Sequence, residues 1–168
     1  MITLRPFTPE DEYIMLDILT DSSIKQTYML PDFNNKQDAL PLFRKLLTLS
    51  AGETHFIRGI CLNNSVIGFV NDVKAENKVI ELGYVIHPKY QSKGYMSMAL
   101  GLAICELFTG GYQEVIAGAF AENIASLRVM EHVGMQRMTK TEEIEYRGKT
   151  IYIDNNFNKE IKEESIEL

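Results

Sequence analysis

Six consecutive residues, Gln91-Ser92-Lys93-Gly94-Tyr95-Met96, form the segment best equipped for chemistry: their types suit the binding of a phosphate. An apolar β-type run ends at Ile86, a short polar loop follows, and helical periodicity begins just past Gly94. The first amides of a helix lack internal acceptors and carry partial positive charge, so they favour a phosphate. A glycine at that point lets the backbone approach closely, and Lys93 adds a cation. On pattern alone, an ordinary connection closed by a cap glycine accounts for the same residues.

The run Ile80 to Ile86 carries the nearest carboxylate. Strand alternation puts Ile80, Leu82, Tyr84 and Ile86 on one face, and Glu81, Gly83 and Val85 on the other. Gly83 leaves room above the strand. Glu81 reads equally as a solvated polar position on a half-exposed strand. His55, His87 and His132 are scattered without metal-ligand spacing, and Cys61 and Cys105 lie in apolar stretches that predict buried, reduced thiols. Met15, Met96, Met98, Met130 and Met135 read as core filling. Tyr28, Tyr84 and Tyr146 are candidates for an acceptor pocket or for core and rim aromatics.

Those residues need a scaffold, and the chain supplies a dense one. Its 168 residues, 45% hydrophobic and 24% charged, suit one folded domain, residues 1–168, with a polar tail over 159–168 expected to fray. A net charge of −6 gives no electrostatic case for nucleic acid. The opening MITLRPF lacks the basic and apolar regions of a signal peptide, and no apolar run reaches the roughly 18 residues of a membrane span. A cytoplasmic location is the expectation.

MITLRPF reads as a short strand. Thr8 then caps a helix with Pro9 in its first turn, ending near Thr20. A second helix carries Leu42, Leu46, Leu47 and Leu49, with Pro41 in its first turn, Asp38 as cap and Gly52 at its end. Strands follow at His55 to Leu62, Val66 to Val73 and Ile80 to Ile86, turning at Asn63-Asn64 and at Ala75 to Lys78, as an antiparallel meander. The helical set Met96, Leu100, Ala103, Ile104 and Leu107 stops at Gly110-Gly111. A strand at Glu114 to Phe120, a helix from Ile124 to Val133 capped by Asn123, and strands at Gln136 to Tyr146 and Thr150 to Asn158, joined by Arg147-Gly148, complete an α+β order.

Three segments in this order resemble one known family. Gln91 to Met96 is similar to the Gln/Arg-x-x-Gly-x-Gly/Ala signature of the GNAT superfamily of N-acetyltransferases. Asn123 to Met135 is similar to that family's Asn-x-x-Ser helix ending in Glu-(Lys)-x-Gly-Phe. Glu81-Leu82-Gly83-Tyr84 resembles the Glu-x-Gly-Tyr strand of the subgroup that acetylates the N-termini of ribosomal proteins at alanine or serine. The likeness runs from Ile2 to about Asn158. Met96 departs from the usual Gly or Ala, His132 from Lys, and Met135 from an aromatic. Met130 stands where relatives place a tyrosine acid.

The resemblance implies a mixed, mostly antiparallel sheet of about seven strands splayed in a V and flanked by about four helices. It implies acetyl-CoA as cofactor, with the pyrophosphate on Gln91, Ser92, Lys93, Gly94, Tyr95 and Met96. Pantetheine would pair with the strand ending at Ile86, the amides of Val85 and Ile86 facing the thioester oxygen, with Asn123 and Ser126 beside the arm or the thiol. Glu81 becomes the candidate general base, through a water. A free α-amine, with pKa near 7.8, is neutral in roughly one molecule of seven at pH 7, so a weak base suffices for it. The acceptor it implies is a primary amine, on a protein N-terminus or on a small molecule such as a polyamine, amino sugar or antibiotic. A non-catalytic acyl-CoA sensor is the alternative from another class. Monomer and homodimer both stay open.

Overall fold

The computed structural model describes residues 1–139 and 142–160. Strand β1 (Ile2–Arg5) leads through a single 3-10 turn at Pro9–Asp11 into helix α1 (Glu12–Thr20) and, after a loop, helix α2 (Lys36–Ser50). The meander β2 (Ile57–Leu62), β3 (Ser65–Glu76) and β4 (Val79–Ile86) precedes helix α3 (Tyr95–Thr109). Strand β5 (Glu114–Phe120), helix α4 (Ile124–His132) and strands β6 (Gln136–Arg137), β7 (Glu142–Tyr146) and β8 (Lys149–Glu160) follow. The described strands form one eight-stranded sheet in the order β1-β2-β3-β4-β5-β8-β6, with β7 added on β8. All pairings are antiparallel except β4 with β5. The α+β class and splayed mixed sheet expected from the sequence are therefore present.

Three two-residue turns set the register of the hairpins. Asn63-Asn64 (φ 49° and 71°), Asn77-Lys78 (52° and 62°) and Arg147-Gly148 (54° and 71°) all hold both central residues at positive φ. That conformation matches the right-handed twist of flanking strands. The second turn is shorter than expected, because β3 continues to Glu76.

Each face of the sheet has its own core. Ile80, Leu82 and Tyr84 pack with Met96, Leu100, Ile104 and Met130 of α3 and α4. Phe69 and Val85 pack with Met15, Leu19 and Phe43 of α1 and α2. The alternation read along β4 thus matches two buried faces.

Several expectations need correction. Pro41 lies well inside α2, and Asn35 is the cap, its side chain accepting from the Asp38 amide. A proline is tolerated there because the carbonyl it leaves unpaired belongs to Gln37, which is exposed to water. Cys105 and Met98 (58% exposed) are on the outer face of α3, not in the core. That helix is apolar nearly all round, so its sequence does not mark its inner face. Strand β8 extends through Lys159 and Glu160, and the rest of the expected polar tail, 161–168, lies outside the described residues. The expected strand Gln136 to Tyr146 appears as β6 and β7, with residues 140–141 between them outside the description.

Candidate functional site

The site starts where two parallel strands part. Pairing between β4 and β5 covers only Val79 to Leu82 against Glu114 to Ala117. Just beyond, the β5–β8 register also breaks, between Ala117 and Ala119. The ends of β4 and β5 diverge from that point and open a cavity of about 610 Å³. Tyr84, Val85 and Ile86 line one side, Ala119, Asn123 and Ser126 the other, and the Gln91–Met96 loop contributes Gln91, Ser92, Gly94, Tyr95 and Met96.

Backbone direction decides which groups face this gap. The His87 N–H donates to Ile67 O on β3 at 2.8 Å, and the β3–β4 register carries that pattern back to Val85 and Gly83. The amides of Tyr84 and Ile86 therefore turn the other way, into the gap. The Lys78 carbonyl, of the same parity, accepts from the chain leading into β5, as this alternation requires. Of the two amides expected to face a thioester oxygen, that of Ile86 points into the cavity and that of Val85 is committed to β3. The other amide that points into the cavity is that of Tyr84.

The β3 and β4 backbones approach closely at Gly68. A Cβ there would lie 2.2 Å from the Val85 carbonyl oxygen and 2.9 Å from the Ile86 Cα. The lone glycine within an apolar strand was the sequence signal for such an approach.

The turn into α3 is tight and open to the cavity side. Ser92 (φ 59°) and Gly94 (φ 76°) both adopt left-handed conformations. No protein atom lies within 4 Å of a Cβ built on Gly94, so the space above it is open. The amides of Tyr95, Met96 and Ser97 open the helix. The Met96 side chain is buried in the core, so its departure from Gly or Ala leaves the loop surface clear. Gln91 Nε2 donates to the Ile86 carbonyl at 3.3 Å and ties the loop to the strand end. Lys93 extends over the Tyr90 ring, 5.8 Å from its centre, at the edge of the cavity. Behind the loop, His87 Nδ1 accepts from the Lys89 amide, which leaves Nε2 to carry the proton donated to Asp17 on α1, 3.0 Å away. Lys36, and after it His87, hold the Asp17 carboxyl below its ordinary range.

At the start of α4, Asn123 and Ser126 form a reciprocal pair. The Ser126 amide donates to Asn123 Oδ1 at 3.2 Å, which fixes the amide orientation, and Asn123 Nδ2 donates to Ser126 Oγ at 3.0 Å. The Ser126 hydroxyl accepts there, so its own proton stays free to be donated. Tyr84 Oη donates to the Ser126 carbonyl at 3.1 Å and bridges β4 to α4. Burial, only partly offset by that bond, pushes the Tyr84 phenol well above its usual range. Met130 is fully buried, so the position where the resemblance would put a tyrosine faces the core. Arg128 and His132 also line the cavity, at helical spacing from Ala125, a stripe that the linear motif did not reveal.

The far end of the cavity is walled by Ser23, Ile24, Thr27 and Tyr28. Tyr28 Oη donates to Asn71 Oδ1 at 2.6 Å and fills the space above Gly83, where a Cβ would stand 3.0 Å from it. Burial pushes the Tyr28 phenol up to about 12. Glu81 lies on the paired part of β4, opposite Lys74 and Ile116, and outside the cavity lining. Tyr146 is likewise outside it. Among the described residues no cluster of metal-ligating side chains occurs, and no helix is long and apolar enough to cross a membrane.

A sheet splayed between parallel strands, with a glycine turn at its mouth, is the arrangement that the sequence resemblance implied. Residues 1–136 match the acetyltransferase (GNAT) domain family, and the chain belongs to it. A stretch of 62 residues is 45% identical to an uncharacterized N-acetyltransferase, YnaD, of Bacillus subtilis (strain 168), and spans about a third, 34%, of each chain. The fold superposes on RimL, a ribosomal L7/L12 alpha-N-protein acetyltransferase in complex with coenzyme A, with a TM-score of 0.83 at 17% identity over 95% of this chain and 94% of that one. It also superposes on a spermidine N-acetyltransferase from Vibrio cholerae, in complex with CoA and spermine, with a TM-score of 0.77 at 16% identity over 95% of each.

Proposed function

We propose that this chain transfers the acetyl group of acetyl-CoA to a primary amine by direct attack in a ternary complex. The observation that carries this reading is the gap between β4 and β5, with unpaired strand amides on one side and the Gly94 turn at its mouth. Relatives of the same fold bind coenzyme A, which supports that cofactor here.

Acetyl-CoA, when bound, supplies an activated acetyl thioester. The residues that would hold it are Gln91, Ser92, Gly94, Tyr95 and Met96 through the loop and first-turn amides, with Lys93 as a cation at the rim. The Tyr84 and Ile86 amides serve an extended ligand edge and a carbonyl oxygen. Asn123 keeps the Ser126 hydroxyl turned as a donor, and that hydroxyl is placed to give a proton to a leaving thiolate. Tyr28, whose proton is committed to Asn71, offers a lone pair to the N–H of an incoming amine.

The acceptor we favour is an α-amine, such as a protein N-terminus. Glu81 is five residues from Ile86, about 16 Å along the strand, so it acts only through a water chain. Assistance that weak suits an amine already partly neutral at pH 7. The hydroxyl-bearing, uncharged groups of Ser23, Thr27 and Tyr28 also suit a neutral amine. Glu81→Gln is expected to lower turnover and flatten the pH–rate profile with cofactor affinity unchanged. An unaltered profile removes Glu81 from the mechanism.

The deciding experiment is calorimetric titration with acetyl-CoA, then measurement of released thiol with a serine-initiated peptide and with spermidine. One-to-one binding with thiol release from the peptide supports the proposal, and preference for spermidine favours a small-molecule acceptor. Binding without release from any amine identifies a sensor, and absence of binding overturns the reading.

A further inference from the structure

The wall that closes the acceptor end is a loop between α1 and α2, and one phenol from the far end of the chain organises it. Its regular structure is a single 3-10 turn, Ile24–Gln26. Segments with so little internal bonding open easily unless something outside them holds them.

Four backbone atoms of this loop converge on Tyr146 Oη. The Leu30 amide donates to it at 3.2 Å, and the carbonyls of Lys25, Tyr28 and Leu30 lie at 3.0, 3.2 and 3.3 Å. A phenol has one proton and two lone pairs, so it accepts from Leu30 and donates to one carbonyl, Lys25 being nearest. The ring is itself fixed, 5.7 Å from Phe120 at the end of β5. Beside it the Arg147 guanidinium lies 5.4 Å from the ring centre and pairs with Asp32, which is also 3.8 Å from the buried Lys25. Asp32 is 74% exposed, so these ion pairs are screened and weak. Loss of the phenol oxygen instead strips the buried Leu30 of its amide acceptor.

We propose that Tyr146 is a positioning residue whose hydroxyl clasps the 23–33 loop into the acceptor-side wall of the cavity. Its ring contributes nothing to the lining, so of the two roles open from sequence, pocket residue or core and rim aromatic, it takes the second. It acts through Tyr28 and Thr27, which do line it. The cofactor loop is anchored separately, by Gln91 to Ile86 and by His87 to Asp17. Loss of the clasp therefore weakens acceptor binding and spares the cofactor. This kinetic consequence rests on the transferase reading, whereas the clasp itself does not.

The test is Tyr146→Phe in the full chain, with Arg147→Ala as comparison. Hydrogen exchange of the Leu30 amide and its loop is expected to rise about tenfold in Tyr146→Phe, and less than threefold in Arg147→Ala. The calorimetric Kd for acetyl-CoA should stay within twofold. For whichever of the serine-initiated peptide or spermidine is turned over, KM should rise about tenfold with kcat within threefold. Unchanged exchange at Leu30, or faster exchange with an unchanged KM, overturns the proposal. If neither amine is turned over, the transferase reading fails, and the exchange result still decides the clasp.

Discussion

Gly68→Ala tests the link between strand packing and the cavity. The new Cβ would stand 2.2 Å from the Val85 carbonyl oxygen, where ordinary contact begins at 3.4 Å. The shortfall is about 1.2 Å, and the other close atoms, Val85 C and Ile86 Cα, are also backbone, so no side chain can rotate away. Relief comes only by moving β4. Past Leu82 that strand has no β5 neighbour, so Val85 and Ile86 retreat into the gap. Overpacking of this kind costs about 1–3 kcal/mol. For a chain of this size that is a fall in Tm of roughly 3–10 °C. The Tyr84 and Ile86 amides move with the strand, so acetyl-CoA affinity should fall by about tenfold or more, since each misplaced hydrogen bond is worth about 1 kcal/mol. Differential scanning calorimetry and isothermal titration read the two effects. Gly101→Ala, in mid-helix with no atom within 4 Å, is the control and should leave Tm unchanged or higher. A Gly68→Ala protein with wild-type Tm and affinity would refute the reasoning.

Gly94→Val should leave the fold intact, at a cost of about 1–3 kcal/mol for a branched side chain at φ 76°, and abolish calorimetric binding of acetyl-CoA. Ser126→Ala removes the hydroxyl held by Asn123 and should lower kcat by roughly 10²-fold in a thiol-release assay, with Kd for acetyl-CoA within threefold. Asp11 gives an acid-sensitive contribution to stability. Burial alone would raise its carboxyl, yet the bonds from Arg5 at 2.8 and 2.9 Å and from the Thr8 amide bring it below the ordinary range. A depressed folded-state pKa means that its stabilisation is complete above about pH 4, the unfolded value, and is lost as pH falls below it. Asp11→Asn should therefore lower Tm at neutral pH, by about 1–3 kcal/mol of stability, and flatten the fall of Tm below pH 4.

The sequence by itself determined the elements and their order. Paired turn residues such as Asn63-Asn64, the alternation of Ile80 to Ile86 and the caps Thr8 and Asn123 are local signals, and each acts within a few residues of its own position. The glycine turn into α3 was legible for the same reason, since Gly94 and the helix that follows are contiguous. Tertiary structure decided what depends on neighbours distant in the chain. The parity of the β4 amides follows from its register with β3, which turned the Val85 amide away from the gap and the Tyr84 amide into it. Met98 and Cys105 read as core because α3 is apolar all round, and only packing chose its inner face. Tyr146 was open between a pocket aromatic and a core or rim one, and it reaches the 23–33 loop from more than a hundred residues away. Local spacing cannot encode such contacts, because they arise only when two folded elements meet across the sheet.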